Sequence, residues 1–288
     1  MVELIPHLPE DLERAIFEHT AITDPGTVLP LMLVARRVHV WVEPLLFRIL
    51  RVTERRRHQA ALRALKRKPS AFAAQHVGHL LVDGISDNPS EVLTELLKRC
   101  TGLHGLGTTY RYHVAALLPL LADLRLRRLT ADLGEIWRTG HATDTPTPID
   151  TAHLAFAHVT HLNLHDQVKF AAVRAPVCAA LPRFPALTHV RLQLSGSPAP
   201  ITEFEAALHR APHLHVLVLG EPDAADVAAL GPAADVRLVC VSGGCEYAMF
   251  WKDWEDGLRG RLDVWERAER FVEGKREGRF SGLWLPNQ

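Results

Sequence analysis

The chain has 288 residues, 47% of them hydrophobic and 23% charged, a composition that excludes an intrinsically disordered chain. Its length is more than one small core requires, so two domains or one extended repeat array are expected. The 33 Lys and Arg balance 33 Asp and Glu, so no global field draws the molecule to nucleic acid or to an anionic membrane, and neither is expected as a partner.

Residues 4–52 carry two helical patterns on either side of Pro25-Gly26. In the first, Leu12 and Ile16 with Phe17 form one apolar stripe; in the second, Leu31, Val34, Ala35 and Val38 do the same. A small helical hairpin is predicted. The positions Leu8, Pro9, Leu12, Ile16, Phe17, Leu29, Leu33, Val34, Arg36, Arg37, Leu45 and Phe47 resemble an F-box, which opens with Leu-Pro and ends in a leucine-rich helix with a Val-x-Arg-Arg-like segment. The following Val-His-Val-Trp-Val-Glu-Pro-Leu-Leu-Phe is similar to F-box-like proteins abundant in mushroom-forming fungi, which often lead into irregular leucine-rich repeats. The resemblance implies docking of a Skp-type adaptor of a cullin ubiquitin ligase by Leu8, Pro9, Leu12, Ile16, Phe17, Leu29, Leu33, Val34 and Trp41. Val38 stands where the family's aromatic usually follows the Arg-Arg pair, and Trp41 comes about one helical turn later. The competing expectation is a cap that shields the first repeat.

A basic run follows, Arg55-Arg-Arg-His with Arg63, Lys66, Arg67 and Lys68. It is expected to be a solvated helix face, with nucleic-acid contact or nuclear import as the alternative.

From residue 77 onward, apolar-x-x-apolar-x-apolar recurs: Val77/Leu80/Val82, Leu103/Leu106/Thr108, Leu126/Leu129/Ala131, Val159/Leu162/Leu164, Leu187/Val190/Leu192, Leu214/Leu217/Leu219 and Val236/Val239/Val241. The spacing is near that of leucine-rich repeats. The last two apolar positions of each unit alternate as in a half-buried strand. Helical segments such as 89–99 and 202–210 lie between them. The expected fold is therefore α/β: a leucine-rich-repeat-like curved solenoid with parallel strands on its concave face, N-terminal F-box-like helices and a C-terminal capping helix. Expected domains are 1–70 (F-box-like module or cap), 71–245 (solenoid) and 246–288 (capping helix and tail). The usual Asn or Cys after the last repeat leucine is replaced by Gln167, Ser195, Pro222 and Gly244, and residues 139–148 read as a surface-loop insertion. An ordinary layered α/β domain is the alternative.

Residues that alternate with the buried ones are expected on an accessible concave wall: His79 and Asp83; Arg128 and Asp132; His161, Asn163 and His165; His189, Arg191 and Gln193. Imidazoles are the usual acid–base groups near neutral pH, so His161, His165, His189 and Arg191 are the alternative catalytic or small-molecule set. No catalytic group is assigned otherwise, and neither a metal nor a cofactor is expected. His158, His161 and His165 would share a face only if helical, which the strand pattern opposes. No phosphate-binding or nucleophile-elbow motif occurs.

Toward the C-terminus, Trp251 and Trp254, then Trp265, Ala268, Phe271 and Val272, recur at helical spacing and are expected to cap the last repeat rather than form an exposed stripe. This end is also similar to the C-termini of the F-box-like proteins. Cys100, Cys178, Cys240 and Cys245 contain no C-x-x-C pair and are too few for a disulfide framework, so reduced thiols in a cytoplasmic or nuclear setting are expected. The N-terminus lacks the basic start and apolar run of a signal peptide, and no membrane span is evident. The expected function is an F-box-like substrate receptor that binds an adaptor and a protein substrate on the repeat face, with an enzyme or small-molecule binder as the alternative.

Overall fold

The computed structural model describes residues 8–286 apart from 54, 83–88, 109–116, 133–148, 166–167, 169, 195–199, 232–233 and 244–246. Asp83, the 139–148 insertion, Gln167, Ser195, Gly244 and Cys245 lie outside the described residues.

The chain is α/β, with one eight-stranded parallel sheet and, among the described residues, twelve α-helices. The strands are β1 (Ile49–Val52), β2 (His79–Val82), β3 (Gly105–Thr108), β4 (Arg128–Ala131), β5 (His161–Leu164), β6 (His189–Gln193), β7 (Val216–Gly220) and β8 (Leu238–Val241). They lie side by side in chain order, and every adjacent pair is parallel. Parallel neighbours need a crossover, and each described crossover carries helical turns. These are α4 (Arg55–Lys66) and α5 (Ser70–His76), then α6 (Pro89–Arg99), α7 (Leu118–Ala122), a 3-10 turn (Leu154–Phe156), α8 (Ala171–Ala180), α9 (Ile201–His209) and α10 (Ala224–Ala229).

Register explains the core. Leu50, Leu80, Leu106, Leu129, Leu162, Val190, Leu217 and Leu238 are consecutive partners across the sheet. From Leu80 onward they are at most 1% exposed. With Val82, Ala131, Leu164, Leu192 and Leu219 they pack against the crossover helices through residues such as Leu65, Leu96, Leu121, Val177 and Phe204, in one continuous cluster. Burying a Leu or Val side chain contributes about 1.5–3 kcal/mol, so this column dominates the fold's stability. The alternation read from the sequence is correct in β5 and β6, where Leu162, Leu164, Val190 and Leu192 all point into the core, but it is off by one in β8, where Leu238 and Cys240 face this core and Val239 and Val241 face the other side. Cys100, Cys178 and Cys240 are also in this cluster. Burial pushes each thiol up to about 12, which keeps it protonated and unreactive.

The sheet begins earlier than the repeat pattern implied. Residues 49–52 were grouped with the helical module, but Ile-Leu-Arg-Val pairs with His79–Val82 as the first strand. Leu62, Leu65 and Ala73 of α4 and α5 likewise join the main core. The N-terminal module with its own core is α1 (Glu10–Thr23), α2 (Val28–Met32) and α3 (Arg36–Phe47), packed around Ala21, Val28, Val38 and Val42. Acids at Glu10, Asp11 and Glu13 suit the first turn of α1. Asp24 and Pro25 end that helix, with the Asp24 carboxylate accepting from the Gly26 amide at 3.0 Å. The Arg37 guanidinium donates twice to Glu13, locking α3 to α1. Phe47 meets Phe72 edge-on at 5.1 Å and joins the module to α5.

The C-terminal segment, expected as one helix capping the last repeat, instead forms two helices, α11 (Tyr247–Leu258) and α12 (Val264–Arg276), and both lie against the second face of the sheet, α11 as far back as β2. Phe250, Trp251, Trp254 and Leu258 of α11 pack on Leu81 of β2. Trp265, Ala268, Phe271 and Val272 of α12 pack on Val216, Val218, Val239 and Val241 of β7 and β8. The tail then closes the β8 edge, where the Cys240 amide donates to Leu283 O at 2.7 Å and the Leu285 amide to Cys240 O at 2.8 Å. No described helix is long and apolar enough to cross a membrane.

Candidate functional site

The polar strip read from the sequence does lie on one face of the sheet. His79, Arg128, His161 and His189 fall in one row, with Gly105 between His79 and Arg128, and Asn163 pairs with Arg191 in the next row. The strip is not open. His189 is 4% exposed and Arg191 3%, Asn163 is buried, and His79, Asp132, His161, His165 and Gln193 are half-buried. The expectation of an accessible wall fails because α11 and α12 roof the face that an uncovered sheet would present to solvent.

Most of the strip residues are engaged by that roof or by a neighbour. Direct register pairing puts the His161 and His189 rings parallel at 4.2 Å, and Trp265 of α12 meets both edge-on at 5.5 and 5.8 Å. His165 sits edge-on to Phe250 and Trp251, while the Arg191 guanidinium lies 5.0 Å from the Phe250 ring centre. His79 faces Trp254 at 6.4 Å. Charged ties complete the contact, from Arg128 to Asp263 at 3.0 Å, Arg51 to Glu255 at 3.3 Å and His189 Nε2 to Glu269 Oε1 at 2.8 Å. Asp263 also accepts from the Glu266 amide, so one carboxylate caps α12 and fixes it to β4.

Two residues of β3 make room for the roof. A Cβ on Gly105 would lie 2.4 Å from His79 Nδ1, and one on Gly107 would lie 2.9 Å from Leu81 and 3.0 Å from the Trp251 ring. With no side chain at either position, His79 and the fully buried Trp251 can lie flat across the strand. The Gly-Leu-Gly of β3 is the sequence signal for this close approach, and the repeat spacing registers only its central Leu106.

Burial sets the electrostatics. It pushes His79 and His165 down to about 4 and His161 to about 3, helped by Arg48 and Arg128 at His79, Arg191 at His165, and His189 and Arg128 at His161. His189 is also lowered, chiefly by burial, against the pull of Glu269. These rings are therefore neutral near pH 7. A neutral His189 that donates its Nε2–H to Glu269 must accept at Nδ1, where the Thr188 hydroxyl stands 2.8 Å away with a single proton that Thr160 O, at 3.1 Å, also competes for.

The alternative catalytic set does not converge on an open space. A cavity of about 540 Å³ between α11, α12 and the tail is lined by Arg191, Met249, Asp253, Leu262, Arg267 and Leu285, but by none of the three histidines. Its Asp253 carboxyl, raised by burial, accepts from the Val264 amide at 3.1 Å and Arg267 Nη2 at 2.9 Å, which are structural bonds. Among the described residues, no three His, Cys, Asp or Glu groups are placed to hold a metal.

The N-terminal module has the opposite character. Leu33 is 87% exposed, and Leu8, Leu12, Ile16, Leu29 and Val34 are all more than half exposed, as is Val40. Pro9 is exposed too, while Phe17 and Trp41 are half-buried against the module core. Large apolar side chains concentrated in this way on a soluble surface mark interaction sites. No protein-family model matches the chain, and no curated protein matches it.

Proposed function

We propose that the protein is an F-box-like substrate receptor in which α1–α3 bind a Skp-type adaptor of a cullin ubiquitin ligase and the sheet and its crossover helices form a curved, leucine-rich-repeat-like solenoid that presents a protein substrate. The observation that carries the reading is the exposure of Leu8, Leu12, Ile16, Leu29, Leu33 and Val34, six apolar side chains at the F-box-like positions of one small module. A cap must turn its apolar stripe onto the first repeat. Here the module holds itself together through Ala21, Val28, Val38 and Val42 and leaves the stripe outside. Sequential parallel pairing of eight strands supports the solenoid. Since α11 and α12 cover its second face, the substrate is expected on surfaces outside that roof.

The test is adaptor binding by the intact chain, read by titration calorimetry beside a thermal melt. The expected result is binding by the parent and at least about tenfold weaker binding after Leu12→Ser with Leu33→Ser, since fully desolvated apolar anchors dominate interfaces. The melting temperature should stay near the parent's. Absence of binding, or binding indifferent to these changes and to replacement of Leu8 and Pro9, overturns the adaptor reading.

A further inference from the structure

Charge in this neutral chain is concentrated in one place. Residues 48–68 contain nine Lys and Arg against a single acid, Glu54. Most of the excess lies on α4, whose inner side buries His58, Leu62 and Leu65. Its outer side carries Arg56 and Arg63, and Arg67 follows in the turn directly after its last residue. Spaced seven and four residues apart, they form one stripe, about 10 Å and then about 6 Å apart along the axis. Arg57 flanks the stripe, and all four are exposed.

Elsewhere around the helix, cations have partners. Lys66 pairs with Glu95, Lys68 with Glu43, and Arg51 with Glu255. Among the described residues, Arg56, Arg57, Arg63 and Arg67 make no ion pair. Four guanidinium forks are thus held on one helix and the turn that ends it, anchored by an apolar underside, with their hydrogen-bond donors turned to solvent. Such forks match carboxylate geometry better than ammonium groups do.

We propose that the outer face of α4 is a docking surface for a short acidic polypeptide segment whose carboxylates meet Arg56, Arg63 and Arg67. Charge complementarity selects an anion, and the surroundings select its kind. Glu43 and Glu95 stand beside the stripe, with exposed Glu91 on α6, so a long phosphate polymer running past the stripe meets acids on its way. No aromatic residue occurs in α4 on which a base could stack. A segment with one acid per helical turn fits between these flanks. The surface is distinct from the apolar module and does not depend on the adaptor reading.

The probe is a fluorescent glutamate-rich peptide titrated with the full chain. Exposed ion pairs are individually weak and salt-screened, so affinity should fall at least about tenfold between about 0.05 and about 0.5 M salt. The combination Arg56→Glu, Arg63→Glu and Arg67→Glu should lower affinity at low salt by at least about tenfold, with the neutral Arg→Gln triple in between. The same charge change at exposed Arg183, Arg210 and Arg276 should leave binding within about twofold, and melting curves should establish that all three variants are folded. Absence of salt-sensitive binding, equal loss in the distant triple, or tighter binding of a duplex oligonucleotide or of phosphatidylserine vesicles than of the peptide overturns the proposal.

Discussion

Two regions of this molecule invert the usual distribution of side chains. On α1–α3, leucine, isoleucine and valine face solvent; on the second face of the sheet, histidine, arginine and asparagine are enclosed. Residue type therefore decides neither location. Burial is set by what covers a surface, and here one C-terminal pair of helices covers the polar face while nothing described covers the apolar one. At His161, His189, Arg191 and Arg128, stacking, cation–π contacts and hydrogen bonds to Thr188, Glu269 and Asp263 replace water, whereas His79 Nδ1 and His165 Nε2 are buried without a hydrogen-bond partner. Exposed apolar groups gain nothing comparable within the chain, and it is this placement that the proposed adaptor contact would account for.

The comparison can be broken most forcefully at Trp251, the fully buried centre of the roof. Trp251→Ala should destabilise by about 3–5 kcal/mol in denaturant unfolding, the usual cost of an aromatic-sized cavity. A loss below about 1 kcal/mol would mean that α11 does not seat on β3. His189→Ala should cost about 1–3 kcal/mol, because it opens a void in a buried position and removes the stack on His161 and the contact with Trp265. A surface histidine would cost no more than about 0.5 kcal/mol, so this variant separates a covered strip from an open one.

Acid should expose the same difference. The folded chain holds His79, His161 and His165 neutral down to about pH 4, 3 and 4, while the unfolded chain protonates them near pH 6.5. Between those limits the unfolded state binds more protons, so stability contributed by these rings is complete above about pH 6.5 and is lost as pH falls toward 4. The slope should approach about 1.4 kcal/mol per pH unit for each ring, measured by denaturant unfolding across that window. Replacing His161 and His165 by Asn should flatten it. Smallest of all, Leu33→Ala should shift stability by no more than about 0.5 kcal/mol, since this side chain is already in water.

The leucine column was readable because a strand with one apolar face repeats with period two, and Leu80, Leu129, Leu162 and Leu217 keep that phase over the whole sheet. The apolar residues of α1–α3 were readable as amphipathic stripes, although sequence alone left open whether they would be outside or inside. The roof escaped because Trp251, Trp254 and Trp265 announce a buried helix face without saying which surface buries it. Two signals pointed to the answer. Val-Leu-Val-Leu in β7 and Leu-Val-Cys-Val in β8 are continuous apolar runs, the mark of strands covered on both sides, and Gly105 and Gly107 clear a path over β3. On β3 and β7 the repeat spacing drew attention to the first face only, and on β8 it fell on Val239 and Val241, one residue out of phase with the core-facing Leu238 and Cys240.

Carbene footprinting of the intact chain, with and without the adaptor, tests the central claim in one experiment because it labels side chains according to solvent access. The account predicts strong labelling at Leu12, Ile16 and Leu33 that adaptor suppresses, and protection of Trp251, Trp265, His189 and Arg191 in both states. Heavy labelling of the tryptophans and His189, or labelling of Leu12 and Leu33 that adaptor leaves unchanged, would contradict it.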